Sequence, residues 1–328
     1  MAVTTTSVSL LPVTAASFVP DALHAADRDW TETNCYVDLW IEVLHALDLD
    51  AGAAGACTLS TRFEGDQWTF LKYPPEDLRA LYGIEVSELN VWRPVLDHVV
   101  EHLALGNLLT VEVDGWYLPD TAGASYATEH VKTTIVPQQV DVAGRRLGYF
   151  HNAGYFELEG DDFDGVFRLG RRFDDDVLPP YVELVRLDRI RRDDGLVDRA
   201  VALVGDHLAR RPAGNPVADL GARLRADAPW IAAEGLEAFH KYAFGTLRQC
   251  GSTAELAADL CMWLGSHAGA PLDAAAEDFR AVSRGMKTVQ LQASRLARGR
   301  SVDLDTPFAA LAGHWQSALD QVVAWHEG

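Results

Sequence analysis

The stretch TETNCYVDLWIEVLHALDLDAG, residues 31–52, decides how the first half of the chain folds. Tyr36, Val37, Trp40, Val43, Leu44 and Leu47 recur at helical spacing, which predicts one helix with a buried stripe. Asn34 is a favoured N-cap, Asp38 lies where the helix dipole favours a carboxylate, and Gly52 can end the element. Cys35 is then the first helical residue. A cysteine that only packs sits inside an apolar stripe, whereas this one falls at the seam between cap and first turn, where a thiolate is stabilised.

Working outward, residues 62–89 combine a predicted strand around Trp68 to Lys72 with a short helix started by Pro75 and Glu76. LLTVEVDGWYLP, residues 108–119, predicts a strand with Val111 and Val113 on one face, ended by Pro119. Residues 130–158 alternate like two strands joined by a turn at Ala143-Gly144. Beyond Gly195 the chain becomes rich in Ala and Leu with helical periodicity, interrupted at residues 210–216, near Gly251, at 265–273 and at 298–307. The expected fold class is α+β: a helix on an antiparallel sheet over residues 1–190, then an all-helical domain of four to six helices over 191–328. The boundary is expected within 175–200.

The 28 Lys and Arg residues stand against 48 Asp and Glu residues, a formal charge of −20 that repels nucleic acid and anionic lipid surfaces. Four cysteines with no C-x-x-C pair and no zinc spacing predict a reducing, cytoplasmic setting without a structural metal. No basic residue precedes the mildly apolar segment at 7–20, and no long apolar run predicts a membrane span. Phosphate-loop, nucleophile-elbow and H-E-x-x-H motifs are absent, and GAAGAC at 52–57 follows a helix rather than a strand.

What remains is Cys35, a histidine expected at the start of a strand (His130), and an amide expected on the partner strand (Asn152). A thiol at a helix N-terminus, an imidazole to take its proton and an Asn or Asp to orient the ring make up a cysteine nucleophile triad. A hairpin turning at 141–144 puts His130 opposite the low to middle 150s, which favours Asn152. Asp114 is the alternative orienter, and His151 a competing base. The helix dipole and an imidazolium lower a thiol pKa from about 8.5 to between roughly 3.5 and 7.5. The Cys35 backbone N–H with Asn34 or Thr33 is the expected oxyanion site.

The motifs TNCYVDLW, WYLPDTAG with the following EH, and LGYFHNAGYFEL resemble, over nearly the whole chain, a bacterial family encoded beside stand-alone amino acid:carrier protein ligases and small carrier proteins. More distantly, the N-terminal half is similar to the butirosin-type acyltransferase domain, a papain-like fold. That resemblance matches Cys35 to the nucleophile, Trp116 to Pro119 to a strand and His130 to the base; it departs at the orienter. It implies an acyl or aminoacyl transferase. The partner is an aminoacyl carrier protein bringing its own phosphopantetheine, the acceptor is a small amine, and the chain needs no cofactor of its own. The alternatives are a cysteine peptidase or amidase, and a non-catalytic carrier-binding module. An acidic carrier needs a basic landing site, for which Arg186, Arg189 and Arg192, or else Arg295, Arg298 and Arg300, are the candidates.

Overall fold

A computed structural model of the protein describes residues 7–170 and 178–328; residues 175–177 of the expected boundary lie outside them. The described residues divide into two compact units, and the division is not a single cut. One unit draws on residues 7–24, 35–50, 74–170 and 178–192; the other on Ala25–Asn34, Ala51–Tyr73 and Asp193–Gly328.

The first unit is α+β. Its described elements are β1 (Ser7–Ser9), α1 (Cys35–Ala46), α2 (Pro75–Tyr82), β2 (Glu85–Glu88), α3 (Val95–Ala104), β3 (Leu108–Asp114), β4 (Lys132–Asp141), β5 (Arg146–His151), β6 (Gly154–Glu159), α4 (Asp161–Val166) and β7 (Val182–Arg186). The strands form one antiparallel sheet in the order β2-β7-β3-β4-β5-β6, with β1 on the far half of β4. Val111 pairs with Ile135 and Val113 with Thr133, so both valines share the buried face that alternation predicts. The turn after β4 falls where Ala143-Gly144 stands, but the expected second strand is two: β5 stops at His151, and β6 resumes at Gly154 after a turn through Asn152 and Ala153.

Helix α1 starts at Cys35, as its cap and stripe predict, and packs on β4, β5 and β6. It is buried without interruption from Tyr36 to Leu44, Asp38 and Glu42 included. Both carboxylates lie under residues 21–24. Glu42 accepts the Asp21 N–H at 3.2 Å through each oxygen and pairs with His24 Nδ1, while His24 Nε2 is 3.5 Å from Asp38 Oδ1. A buried carboxylate is tolerated only with such partners.

The second unit is helical: α5 (Leu196–Arg210), α6 (Pro216–Glu234), α7 (Leu236–Ala243), α8 (Gln249–Ala268), α9 (Asp273–Leu296) and α10 (Asp305–Glu327). The break expected near Gly251 falls earlier, at Gly235 and in a π-helical turn at Phe244–Arg248, because Gly251 does a different job: a Cβ there would lie 2.7 Å from the Trp30 ring. Residues 25–34 seat on α8 through that contact. Asp29 and Trp30 N–H groups donate to Glu255 at 2.9 and 2.7 Å, and Arg28 pairs with Asp259 at 2.6 Å. Ala51–Ser60 winds as 3-10 turns close enough to α8 that a Cβ on Gly55 would meet Leu260 at 3.0 Å. The strand expected at Trp68 to Lys72 reduces to one isolated bridge, Phe63 with Trp68, since Trp68 N–H goes to Gly245 O at 3.0 Å and its ring packs edge-on against Trp315. Among the described residues, no helix is long and apolar enough to cross a membrane.

The His24 cluster makes stability depend on pH. Burial opposes the charged ring, but Asp38 and Glu42 outweigh it and raise His24 from 6.5 to about 9. Below about pH 6.5 the folded and unfolded chains both hold this proton and the contribution, roughly 3 kcal/mol, is fully present; it is lost as pH rises through about 9. Urea unfolding between pH 6 and 10 should show that loss in the wild type and a flatter profile in His24→Gln. Parallel profiles would remove His24 from the account.

Candidate active site

Cys35 is half-buried at the first position of α1, whereas Cys57, Cys250 and Cys261 are buried. Burial drives the Cys250 thiol well above its ordinary value and the Cys261 thiol up to about 12. Beside Cys35, the Tyr36 hydroxyl donates to Glu183 Oε2 at 2.6 Å, the same oxygen that accepts the Thr110 hydroxyl at 2.8 Å. The start of α1 is therefore tied to β3 and β7. Burial and the Glu183 charge hold the Tyr36 phenol far above its usual range, so it remains a donor.

His130 stands two residues before β4, and its side chain is 68% exposed. Its Nδ1 is 2.6 Å from Asp114 Oδ2, and Asp114 Oδ1 accepts the Trp116 N–H at 3.0 Å. The Trp116 and His130 rings stack at 4.6 Å, and Gly115 N–H donates to Val131 O at 2.7 Å. In the tautomer that donates from Nδ1, the Nε2 lone pair has no partner among the described residues. Orientation by a carboxylate, stacking on one face and an open second nitrogen are what a general base requires. Asp114 also lines a cavity of about 290 Å³ with Tyr117, Asp161, Asp164 and Arg168.

The side chain that pairs with His130 is thus Asp114, not Asn152. Register explains the difference: Val136 pairs with Phe150, so a residue opposite His130 would need β5 to continue past His151, where the chain turns back. Asn152 occupies that turn with a left-handed φ of 45°, a conformation Asn tolerates. No hydrogen bond among the described residues joins the Cys35 thiol to His130 or Asn152.

Asn34 belongs to the helical unit, where its amide donates to Leu71 O at 3.0 Å and to Gln249 Oε1 at 3.2 Å. Both amide protons are committed there, and the side chain serves as a strut. Thr33 is likewise buried there, its carbonyl accepting from Gln249 Nε2 and Arg248 Nε at 3.2 and 3.3 Å. The three arginines do not form one basic row. Arg186 ends β7 and Arg189 follows it, each 3.7 Å from Glu85, while Arg192 donates to Leu47 O at 2.8 Å.

A second imidazole–carboxylate pair escaped the sequence reading. His151 Nδ1 is 2.6 Å from Asp120 Oδ2, its Nε2 is 2.8 Å from the Thr133 hydroxyl, and Tyr149 donates to Asp120 Oδ1 at 2.5 Å. The Asp120 and His151 side chains are 3% and 2% exposed. The signal for it lay in the motifs themselves, the acid of WYLPD and the Tyr and His of YFH.

Residues 19–187 match the DUF1839 N-terminal domain, and residues 193–324 match the DUF1839 C-terminal domain. No curated protein matches the chain.

The four thiols should separate on alkylation. With iodoacetamide at neutral pH, Cys35 should label at least about tenfold faster than Cys250 or Cys261, whose thiolates burial suppresses. Peptide mapping of the native protein reads the rates, and equal labelling of all four would deprive Cys35 of its distinction.

Proposed function

The chain belongs to the DUF1839 family, and from its geometry we propose that it is a cysteine-dependent acyl or aminoacyl transferase. The observation that carries this reading is the His130–Asp114 pair, held at 2.6 Å under the Trp116 ring with Nε2 open, in the same unit whose first helix opens on a half-buried cysteine. A cysteine-headed helix on an antiparallel sheet also agrees with the papain-like resemblance, and through it with the butirosin-type acyltransferases. The gene-neighbour resemblance supplies the substrate class, an aminoacyl thioester on a carrier protein.

In this mechanism His130 Nε2 takes the Cys35 proton, and the thiolate attacks the thioester carbonyl carbon. The bond from that carbon to the phosphopantetheine sulfur breaks, and the departing thiolate takes the proton back from His130. A small amine then attacks the acyl-enzyme. The carbon–sulfur bond to Cys35 breaks as the amide bond forms, His130 relieves the amine of its proton, and the Cys35 thiol is restored. The Cys35 backbone N–H is the proposed oxyanion donor in this scheme. Exchange between two thioesters is nearly balanced in free energy, which suits a thiol nucleophile. The chain itself carries no cofactor in this scheme; phosphopantetheine arrives with the carrier, and Arg186 and Arg189 are the cations proposed to meet it.

Intact-protein mass spectrometry after mixing with an aminoacyl pantetheine thioester tests the assignment. An adduct should form on the wild type, be absent from Cys35→Ala, and form about 10²- to 10⁴-fold more slowly on His130→Ala. Asp114→Asn should be slowed and Asn152→Ala unaffected. Adduct on Cys35→Ala would reassign the nucleophile. Loss of the wild-type adduct to water at a rate indifferent to added amine would make the protein a hydrolase, and no adduct at all would leave it a binding module.

A further inference from the structure

The segment 115–131 carries both Trp116 and His130, and it is closed at its base by the Gly115 N–H to Val131 O bond of 2.7 Å. Within it, Ala127 N–H returns to Trp116 O at 3.0 Å and the Ser125 hydroxyl donates to Thr121 Oγ1 at 2.9 Å. These bonds give the segment a shape but do not hold it against the sheet. Tyr126 donates to Asp162 of α4 at 2.9 Å, and Asp120 ties the segment to the sheet: both of its oxygens are taken by side chains of β5, Tyr149 and His151. His151 is in turn closed by Thr133 of β4.

We infer that Asp120, His151, Tyr149 and Thr133 form a buried latch that fixes the 115–131 segment and thereby sets where the His130 ring stands. The inference rests on the reading of His130 as the base, and it makes His151 and Tyr149 positioning residues that act through Asp120. Hydroxyl, imidazole and carboxylate here have the connectivity of a nucleophile triad, but Thr133 and His151 are only 8% and 1% exposed. Burial on that scale suits holding rather than reacting. It also strengthens the hold, because a carboxylate deprived of water cannot exchange its two donors for solvent. Tyr149 stays a donor throughout, since burial and Asp120 push its phenol far above its ordinary value. Substituting His151 therefore breaks a tie of the segment, whereas Asn in its place keeps an N–H where Nδ1 stood.

Histidine ring NMR, with the His130 signal assigned through His130→Ala, reads the stack on Trp116 as an upfield ring-current shift. In His151→Leu that shift should disappear, and acyl-adduct formation should slow by up to about a hundredfold, the cost of an ångström of misplacement, with half-saturation by the thioester unchanged. In His151→Asn both should stay close to wild type. An unmoved His130 signal in folded His151→Leu overturns the latch. Should that variant not fold, Tyr149→Phe, which deletes one hydroxyl, decides instead: its His130 signal moves or the latch is refuted. A shifted signal in a protein whose wild type forms no adduct supports the latch and defeats the acyl-transfer reading.

Discussion

A carboxylate that has lost its water must be given donors by the protein, and the architecture is tied together at the places where that happens. Glu42 secures residues 21–24 over α1, and Glu183 ties the start of α1 to β3 through Tyr36 and Thr110. Asp120 holds segment 115–131 to β5, and Glu255 collects the N–H groups of Asp29 and Trp30 onto α8. Each is a single side chain joining segments distant in sequence. An acidic excess of −20 reads as a solvated surface, yet several of its members are internal fasteners.

The ties also explain what the residues revealed unaided and what they withheld. Helix α1 was legible because its periodicity, cap and first-turn acid agree, and they locate Cys35 to the residue. Asp38 and Glu42 lie one turn apart on the face opposite that stripe, and their burial was hidden because their partner, His24, precedes the helix and belongs to no pattern. Val111 and Val113 announced β3 by alternation. Trp68 misled because a buried tryptophan among β-formers has the composition of a strand, while its N–H is satisfied by Gly245 from a helical segment far along the chain.

The candidate site divides the same way. Residue types were readable: a thiol at a helix start, a histidine before a strand, acids nearby. Pairing was not, since it turned on two residues of turn between β5 and β6. Asn152 carries a turn signal and an orienter's chemistry at once, and local backbone preference decided between them. Asp114 ended a strand in the manner of a solvent-facing carboxylate, and only the folding back of residues 115–131 brings His130 to it. Asn34, adjacent to the cysteine, was claimed by Gln249 and Leu71, a demand invisible without the helical unit.

The discontinuous make-up of the helical unit bears on how the protein is made. Trp30 and its acceptor Glu255 are 225 residues apart, so at ordinary translation speeds the first leaves the ribosome roughly ten to forty seconds before the second exists. Over that interval Trp30, the 3-10 turns at Ala51–Ser60 and Trp68 have no helix to cover them. The sheet unit finishes emerging first, so the nascent chain passes through a stage with one unit formable and apolar segments of the other exposed. Aggregation and chaperone capture act on such surface. The same discontinuity means that a fragment begun at the family's own C-terminal boundary, near residue 193, lacks the pieces that seat on α8.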